Sequence, residues 1–185
     1  MAKPAAIAAV QAAADEKKQH IQANGGLTEE ERKTAIAEVE SELAKAKQAI
    51  QDATKQADVT GEQTKGIAAI KNVAETPATK TEAKDAIERA AETQRQAIQN
   101  RQDLTQDEKD AAKAQVQAAA DTAKNAVDAA SNNTDVTAEQ GKGVDAINAV
   151  NPTPVAKPTA KDEIQAAADA KKQAIEDRPD LTREE

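Results

Sequence analysis

Residues 27–53 read LTEEERKTAIAEVESELAKAKQAIQDA, and this stretch has the pattern of an amphipathic α-helix. Its apolar side chains recur at alternating steps of three and four, which places them on one narrow stripe of an α-helix. Thr28 and Glu31 precede the stripe at the spacing of a capping box, in which each side chain bonds a backbone N–H of the other residue. We therefore predict a helix from about Glu29 to Lys55. The stripe consists of Ile36, Val39, Leu43, Ala46, Ile50 and Ala53.

The same stretch returns 77 residues later, as LTQDEKDAAKAQVQAAADTAKNAVDAA at residues 104–130. Its stripe is softer, with Val116, Ala120, Ala123, Val127 and Ala130. A third copy opens at Leu181-Thr182, where Thr182 and Glu185 again have the capping-box spacing. A long, constant period is the mark of a modular array. We predict a first repeat at 3–79, a second at 80–156, and the first helix and start of a truncated third at 157–185.

Two further helices are predicted in each repeat. The first runs from about Ala5 to Ala23 and the third, which is short, from about Gly61 to Val73. Their apolar positions recur at helical spacing. In the first repeat these positions are Ile7, Val10, Ala14 and Ile21, then Ile67, Ile70 and Val73. In the later first helices they are Ile87, Ala91 and Ile98, then Ile164, Ala168 and Ile175.

Helix starts and stops are marked by threonine, proline, asparagine and glycine. We interpret Thr60 and Thr137, each three residues before a glutamine, as caps of the third helices. Thr79, three residues before Glu82, is interpreted in the same way as the start of the second repeat's first helix. First-turn prolines are predicted at Pro4 and Pro158. The breakers are Asn24-Gly25-Gly26, Asn132-Asn133 and Asn151-Pro152-Thr153-Pro154.

These patterns predict an all-α fold of tandem antiparallel three-helix bundles that form an elongated rod. We find no strand pattern. Modest stability is expected for each unit, because the apolar residues are few and small and most of them are alanine.

Composition excludes several classes of function. The net charge is −8, whereas nucleic acids and anionic membranes attract basic surfaces. Phe, Trp, Tyr and Cys are absent, so no ring can stack on a base or sugar and no thiol can act as a nucleophile or ligand. No apolar run spans a membrane and no signal peptide is visible. We interpret the sequence as an internal excerpt of a longer protein.

No residue is predicted to be catalytic, to bind a cofactor or to bind a metal, and we expect no enzyme activity. His20 is the only histidine, and alanine replaces it at the equivalent positions 97 and 174. We interpret it as a solvated surface residue, because a lone histidine lacks partners for a metal site or a proton relay. The glutamates around residues 29–42 fit the polar faces and the first turn of a helix.

Two repeated features could be interpreted as binding sites, but helix packing and helix capping explain them more simply. Gly66 and Gly143 fall at equivalent positions inside the third helix. They could mark the approach of a partner, but close packing between helices is favoured, since an interior glycine costs about 1 kcal/mol. Asp58-Val59-Thr60 lacks the spaced oxygen ligands of a calcium loop, and a cap with a buried valine explains it better.

The repeat pattern resembles the "domain of unknown function" tandem helical repeats of Gram-positive cell-wall-anchored surface proteins, of the matrix-binding and biofilm-adhesin type. The features that carry this resemblance are Leu-Thr-x-x-Glu at the second helix and Asp-Val-Thr near the third. The resemblance covers both full copies and the opening of the third. It implies an extracellular, wall-anchored location and a stalk-like or adhesive role, without any catalytic residue.

Three functions remain open at this stage. The first is a spacer that projects a distal binding domain and contacts only neighbouring repeats. The second is a module that binds host plasma or matrix proteins, although such surfaces usually carry aromatic, Met or Arg anchors. The third is homophilic association in a biofilm. We expect no nucleic acid, membrane, small molecule or cofactor to bind.

Overall fold

The computed structural model describes residues 3–178, and within that range the chain is all α-helical, without a strand. The predicted fold class is therefore confirmed. The third predicted capping box, at Thr182 and Glu185, lies outside the described residues. The helices of this described range are α1 (Lys3–Ala23), α2 (Glu29–Asp52), α3 (Gln56–Lys71), α4 (Ala78–Gln99), α5 (Gln106–Ala129), α6 (Asn133–Asn148) and α7 (Ala156–Glu176).

The helices pack as two bundles of three. Helices α1, α2 and α3 contact one another, and α4, α5 and α6 do the same. The connections within a bundle are short, so successive helices run antiparallel. Each bundle therefore begins at one end and finishes at the other.

Each bundle has its own core of small aliphatic side chains. In the first, Val10 of α1, Val39 and Ile50 of α2 and Ile70 of α3 are fully buried. The equivalent core of the second bundle contains Ile87, Val116, Val127 and Ile147. The predicted stripe of α2 is confirmed with one shift, because Ala35 is buried and Ile36 only packs against the core.

The capping boxes predicted at the starts of α2 and α5 are both present. Thr28 Oγ1 accepts the Glu31 N–H at 3.3 Å, and Glu31 Oε2 accepts the Thr28 N–H at 2.9 Å. Thr105 and Glu108 repeat both bonds. These residues start α2 and α5 at the predicted positions, although α2 ends at Asp52, before the predicted Lys55.

The predicted starts of the third helices are wrong. Thr60 and Thr137 lie inside α3 and α6, where each hydroxyl donates to the carbonyl four residues earlier. That bond lets a helix continue through threonine. The extra turn brings Val59 into the core, so Asp58-Val59-Thr60 is a first helical turn and not a cap. The N-cap of α6 is Asn132, whose Oδ1 accepts the Asp135 N–H at 2.8 Å.

The two equivalent glycines lie where helices pack closely. A methyl group built on Gly66 would approach the Ala46 Cβ to less than 3.0 Å, and one on Gly143 would do the same to Ala123. The close-packing interpretation is therefore confirmed. The α2–α3 and α5–α6 contacts depend on having no side chain at these positions.

Helix α7 carries the same apolar stripe as α1 and α4, but no other described helix covers it. Ile164 is 70% exposed and Ile175 is 47% exposed. The equivalent residues of α4, Ile87 and Ile98, are buried in their bundle. The burial of this stripe in α1 and α4 therefore comes from the second and third helices of the repeat.

Candidate functional site: the junction between repeats

The two bundles meet end to end. The turn between α1 and α2 lies at the end of the first bundle where α3 finishes, and α4 starts there after a short linker. The start of α4 and the turn between α5 and α6 form the facing end of the second bundle. We call this meeting point the first junction, and the matching contact between the second bundle and α7 the second junction.

Glu31 caps two helices at once across the first junction. Its Oε2 accepts the Thr28 N–H of its own capping box, while its Oε1 accepts the Thr79 N–H at 2.8 Å. Thr79 belongs to the first turn of α4, where backbone N–H groups have no partner within the helix. Burial raises the pKa of Glu31, but the hydrogen bonds from Thr79 and Thr28 outweigh burial, so its pKa lies below the ordinary value.

This arrangement corrects the prediction for Thr79. Its side chain does not cap α4, which begins at Ala78 without a side-chain cap of its own. The carboxylate that serves the helix start comes from the preceding repeat. Consequently, α4 is initiated by a residue 48 positions away in sequence.

Glu108 repeats the double cap at the second junction. Its Oε2 accepts the Thr105 N–H at 2.8 Å, and its Oε1 accepts the N–H groups of Val155 and Ala156 at 2.8 and 2.9 Å. The backbone bonds from Thr105, Ala156 and Val155 lower the pKa of Glu108 to about 2. The double cap by a capping-box glutamate is therefore present at both junctions.

Lys80 is the second element of the first junction and is only 4% exposed. Its Nζ donates to the Asp128 carbonyl at 2.8 Å, in the last turn of α5, and to the Gly25 carbonyl of the preceding bundle at 3.1 Å. A cation at a helix C-terminus is favoured by the helix dipole and by the unpaired carbonyls. Lys80 therefore ties one helix end to the neighbouring bundle.

The equivalent lysines each make one of these two bonds. Lys3 donates to the Gln51 carbonyl at 2.6 Å, which matches the bond of Lys80 to Asp128. Lys157 donates to the Gln102 carbonyl at 2.6 Å, which matches the bond to Gly25. The lysine contact is thus another property of the repeat.

Backbone contacts between turns complete the first junction. The Glu29 N–H donates to the Ser131 carbonyl at 2.8 Å, and the Asn133 N–H donates to Glu30 Oε2 at 3.0 Å. Both join the start of α2 to the α5–α6 turn. Together with Glu31 and Lys80, they link the two bundle ends through several separate hydrogen bonds.

The linker between the bundles is also held in place. Glu75 accepts from Lys17 Nζ at 2.7 Å and from Asn24 Nδ2 at 3.1 Å, and its Oε1 lies 2.9 Å from His20 Nδ1. The hydrogen bond from Lys17 is the main reason that the pKa of Glu75 falls to about 2. The side chain of His20 is 73% exposed, so it remains largely solvated while it contacts this carboxylate.

The second repeat anchors its linker with different residues. Pro152 occupies the position of Glu75, and Gln94 Nε2 donates to the Val150 carbonyl at 2.6 Å. Arg101 adds a bond to Asn151 Oδ1 at 3.1 Å. Linker anchoring is therefore common to both repeats, although its chemistry is not.

The junction contacts hold helix ends and neighbouring bundles together. Among residues 3–178, no group of three or more His, Cys, Asp or Glu side chains could hold a metal ion. None of the helices in that range combines the length and the apolar character needed to cross a lipid bilayer. The carboxylates and lysines described above bond to helix ends and to one another.

The sequence patterns did not predict that the repeated lysines bond to backbone carbonyls. They also did not predict that Glu31 and Glu108 each cap a helix of the following repeat. One signal was available, because all three copies carry lysine at positions 3, 80 and 157. A lysine at the start of a helix is unfavourable for the helix dipole, so its recurrence there indicates a contact elsewhere. The partner carbonyls could not be found from sequence, because backbone carbonyls carry no sequence signal.

The fold and its junctions define a class: a tandem array of three-helix bundles joined end to end. A family model described as Domain of Unknown Function (DUF1542) matches residues 2–78 and 79–155. The chain therefore belongs to the DUF1542 family and contains two tandem copies of its domain. No curated protein and no solved structure matches the chain.

The double cap makes the junction sensitive to acid. Because the pKa of folded Glu31 lies below the ordinary 4.5, its stabilising effect is present above that value and is lost as the pH falls through the lowered pKa. We expect Glu31→Gln to lower the melting temperature at neutral pH. We also expect the difference from wild type to shrink as the pH falls below 4.5.

Thermal unfolding followed by circular dichroism across this pH range measures the effect. Glu16→Gln is the matched control, since Glu16 is exposed on α1 and takes no part in the junction bonds described above. Its difference from wild type should stay small and flat. A Glu31→Gln difference that is equally flat would show that Glu31 is not a cap in solution.

Proposed function

We propose that this chain is a spacer segment of a bacterial cell-surface adhesin, located outside the cell in a wall-anchored protein, where it holds a distal binding domain away from the wall. The observation that carries the proposal is the repeated junction, in which Glu31 and Lys80 join consecutive bundles end to end. A spacer needs both length and resistance to bending, and the junction geometry supports both.

Length follows from the direction of the helices. Helix α2 has 24 residues and runs the length of its bundle. At about 1.5 Å per residue, each repeat would add roughly 36 Å along the array. Because every repeat starts at the end where the previous one finishes, reach grows in proportion to the number of copies.

Stiffness follows from the number of contacts at each joint. A free linker would let neighbouring bundles rotate, as flexible linkers do. Here the linker is fixed by Glu75 on one side, and the bundle ends are bonded through Glu30, Glu31 and Lys80. These bonds join the start of α2 and the α1–α2 turn to the starts of α4 and α6, so swinging the bundles apart would stretch them.

The surface also supports a passive role. It is acidic and has no aromatic side chain, whereas binding hot spots are enriched in Trp, Tyr and Arg. No described feature favours binding of a host protein or homophilic association over the spacer role. The proposal accordingly includes no catalytic activity, cofactor, nucleic acid, membrane or small-molecule partner.

A copy-number series tests the proposal. Residues 3–156, the two complete repeats, would be inserted once, twice and four times between a wall anchor and a fluorescent binding domain displayed on cells, and the height of the fluorophore measured. We expect height to rise linearly, by roughly 36 Å for each repeat. Growth with the square root of copy number would indicate a flexible tether and would contradict the proposal.

The same displayed chains can be exposed to host plasma and to one another. The spacer role predicts that chains without the binding domain capture no stoichiometric partner and do not cluster cells. Saturable capture of one plasma protein, or clustering that depends on copy number, would replace the spacer role with one of the two adhesive functions.

A further inference from the structure

We propose that Asn24 is a site of spontaneous deamidation, which converts it to aspartate or isoaspartate and loosens the first junction. Asn24-Gly25 is the only asparagine–glycine pair in the sequence. The inference rests on the bonds around this peptide and is independent of the spacer role.

Access to the reacting atoms is the first requirement. The reaction brings the Gly25 backbone nitrogen onto the Asn24 side-chain carbon, and a side chain on the following residue normally obstructs this approach. Gly25 has none and is exposed, and a Cβ built on it would meet no atom outside residues 24–26 within 4 Å. No other described segment therefore crowds the turn at Gly25.

The nucleophile is activated by a cation. The Gly25 nitrogen must lose its proton, and the resulting charge spreads onto the Asn24 carbonyl oxygen of the same peptide group. That oxygen accepts from Arg32 Nε and from the Leu27 N–H, both at 3.3 Å. A guanidinium donor stabilises developing negative charge more than a neutral donor does.

The side-chain carbonyl of Asn24, whose carbon is attacked, is also polarised by a hydrogen bond. The Asn24 Oδ1 accepts the Gly26 N–H at 3.0 Å. Negative charge develops on this oxygen when the Gly25 nitrogen adds to the side-chain carbon, so the Gly26 donor is placed like an oxyanion-stabilising group. The bond from Asn24 Nδ2 to Glu75 Oε2, at 3.1 Å, fixes the amide plane.

The reaction balances with water as the only co-reactant. The Gly25 N–Cγ bond forms, the Cγ–Nδ2 bond breaks, and ammonia leaves with the proton released from the Gly25 nitrogen. Water then opens the succinimide. Attack at Cγ gives aspartate, and attack at the backbone carbonyl carbon gives isoaspartate, in which the main chain runs through the side-chain carbon.

Either product weakens the contacts around the turn. A carboxylate at position 24 would face Glu75 in place of the amide donor that Glu75 now binds. Isoaspartate also lengthens the main chain next to Gly25, whose carbonyl accepts from Lys80. The second repeat has Arg101 and Gln102 at the matching positions and lacks this reactive pair.

The experiment follows deamidation of the full chain at mildly alkaline pH, with and without urea, by peptide mass spectrometry and isoaspartate detection. We expect Asn24 to convert faster than any other asparagine. We also expect it to convert at least as fast in the folded chain as in the unfolded one. Conversion confined to the unfolded chain would overturn the proposal.

Variants separate activation by the fold from the intrinsic reactivity of the pair. Arg32→Gln should slow conversion in the folded chain by roughly threefold to tenfold, because a charge-assisted hydrogen bond is about twice as strong as the neutral bond that glutamine could make. It should leave the rate in urea unchanged. Arg32→Lys should restore much of the folded rate, and Gly25→Ala should slow both states. Equal folded rates for wild type and Arg32→Gln would contradict the assigned role of Arg32.

Discussion

Replacing Gly143 with alanine is expected to lower the free energy of unfolding of the second bundle by about 2 kcal/mol, within the range of overpacked cores. The added methyl would lie less than 3.0 Å from the Ala123 Cβ, and the Ala123 backbone is close behind it. Helices α5 and α6 would have to separate, which would loosen the core around Val127 and Ile147. Urea unfolding followed by circular dichroism measures the change.

The chain provides a control two residues away in the same helix. A Cβ at Gly141 meets nothing within 4 Å, so Gly141→Ala should stabilise α6 by up to about 1 kcal/mol through helix propensity alone. In the first bundle, Gly66→Ala and Gly61→Ala form the same pair. If both members of a pair stabilise the protein, the second and third helices of that bundle do not pack as described.

Replacing Lys80 with methionine is also expected to destabilise the protein strongly, by about 2–3 kcal/mol. Methionine keeps most of the length of the side chain, but it cannot donate to the carbonyls of Asp128 and Gly25. Each bond to a charged group contributes about 1.5–3 kcal/mol, and part of this is recovered because the ammonium no longer has to be desolvated. Denaturant unfolding of wild type and variant measures the difference.

Lys157→Met is the matched control. Lys157 occupies the same repeat position and is exposed, and its hydrogen bond among the described residues goes to the Gln102 carbonyl, so its loss should cost less than about 1 kcal/mol. Lys80→Met with an equally small effect, or with a gain in stability, would show that the buried lysine does not stabilise the junction. A hydrophobic replacement of buried charge has that outcome in some proteins.

The local signals predicted most of the bundle. The stripe of residues 27–53 and its copy placed α2 and α5, and the capping boxes fixed their first residues, because a cap and the turn it serves are adjacent in sequence. The starts of α3 and α6 were predicted wrongly because the capping-box spacing does not distinguish the start of a helix from its interior. A threonine three residues before a glutamine can also lie inside a helix, where its hydroxyl bonds an earlier carbonyl.

The junction could be predicted only in part. Glu31 was correctly placed as a cap, but a capping box uses one carboxylate oxygen and leaves the destination of the other undefined. Lys80 bonds two backbone carbonyls that lie 55 and 48 residues away, and any residue type provides such a carbonyl. The anchor at Glu75 escaped prediction because the repeat does not conserve it, with proline at the matching position.

Small-angle X-ray scattering of the full chain tests the central claim, that consecutive repeats stack end to end through their junctions. Three successive helix lengths give a particle roughly 100 Å long with a radius of gyration of roughly 29 Å. A compact chain of 185 residues would have a radius of gyration of about 16 Å. We expect the larger value and a rod-like distance distribution, whereas a value near the smaller one would show that the repeats do not stack end to end.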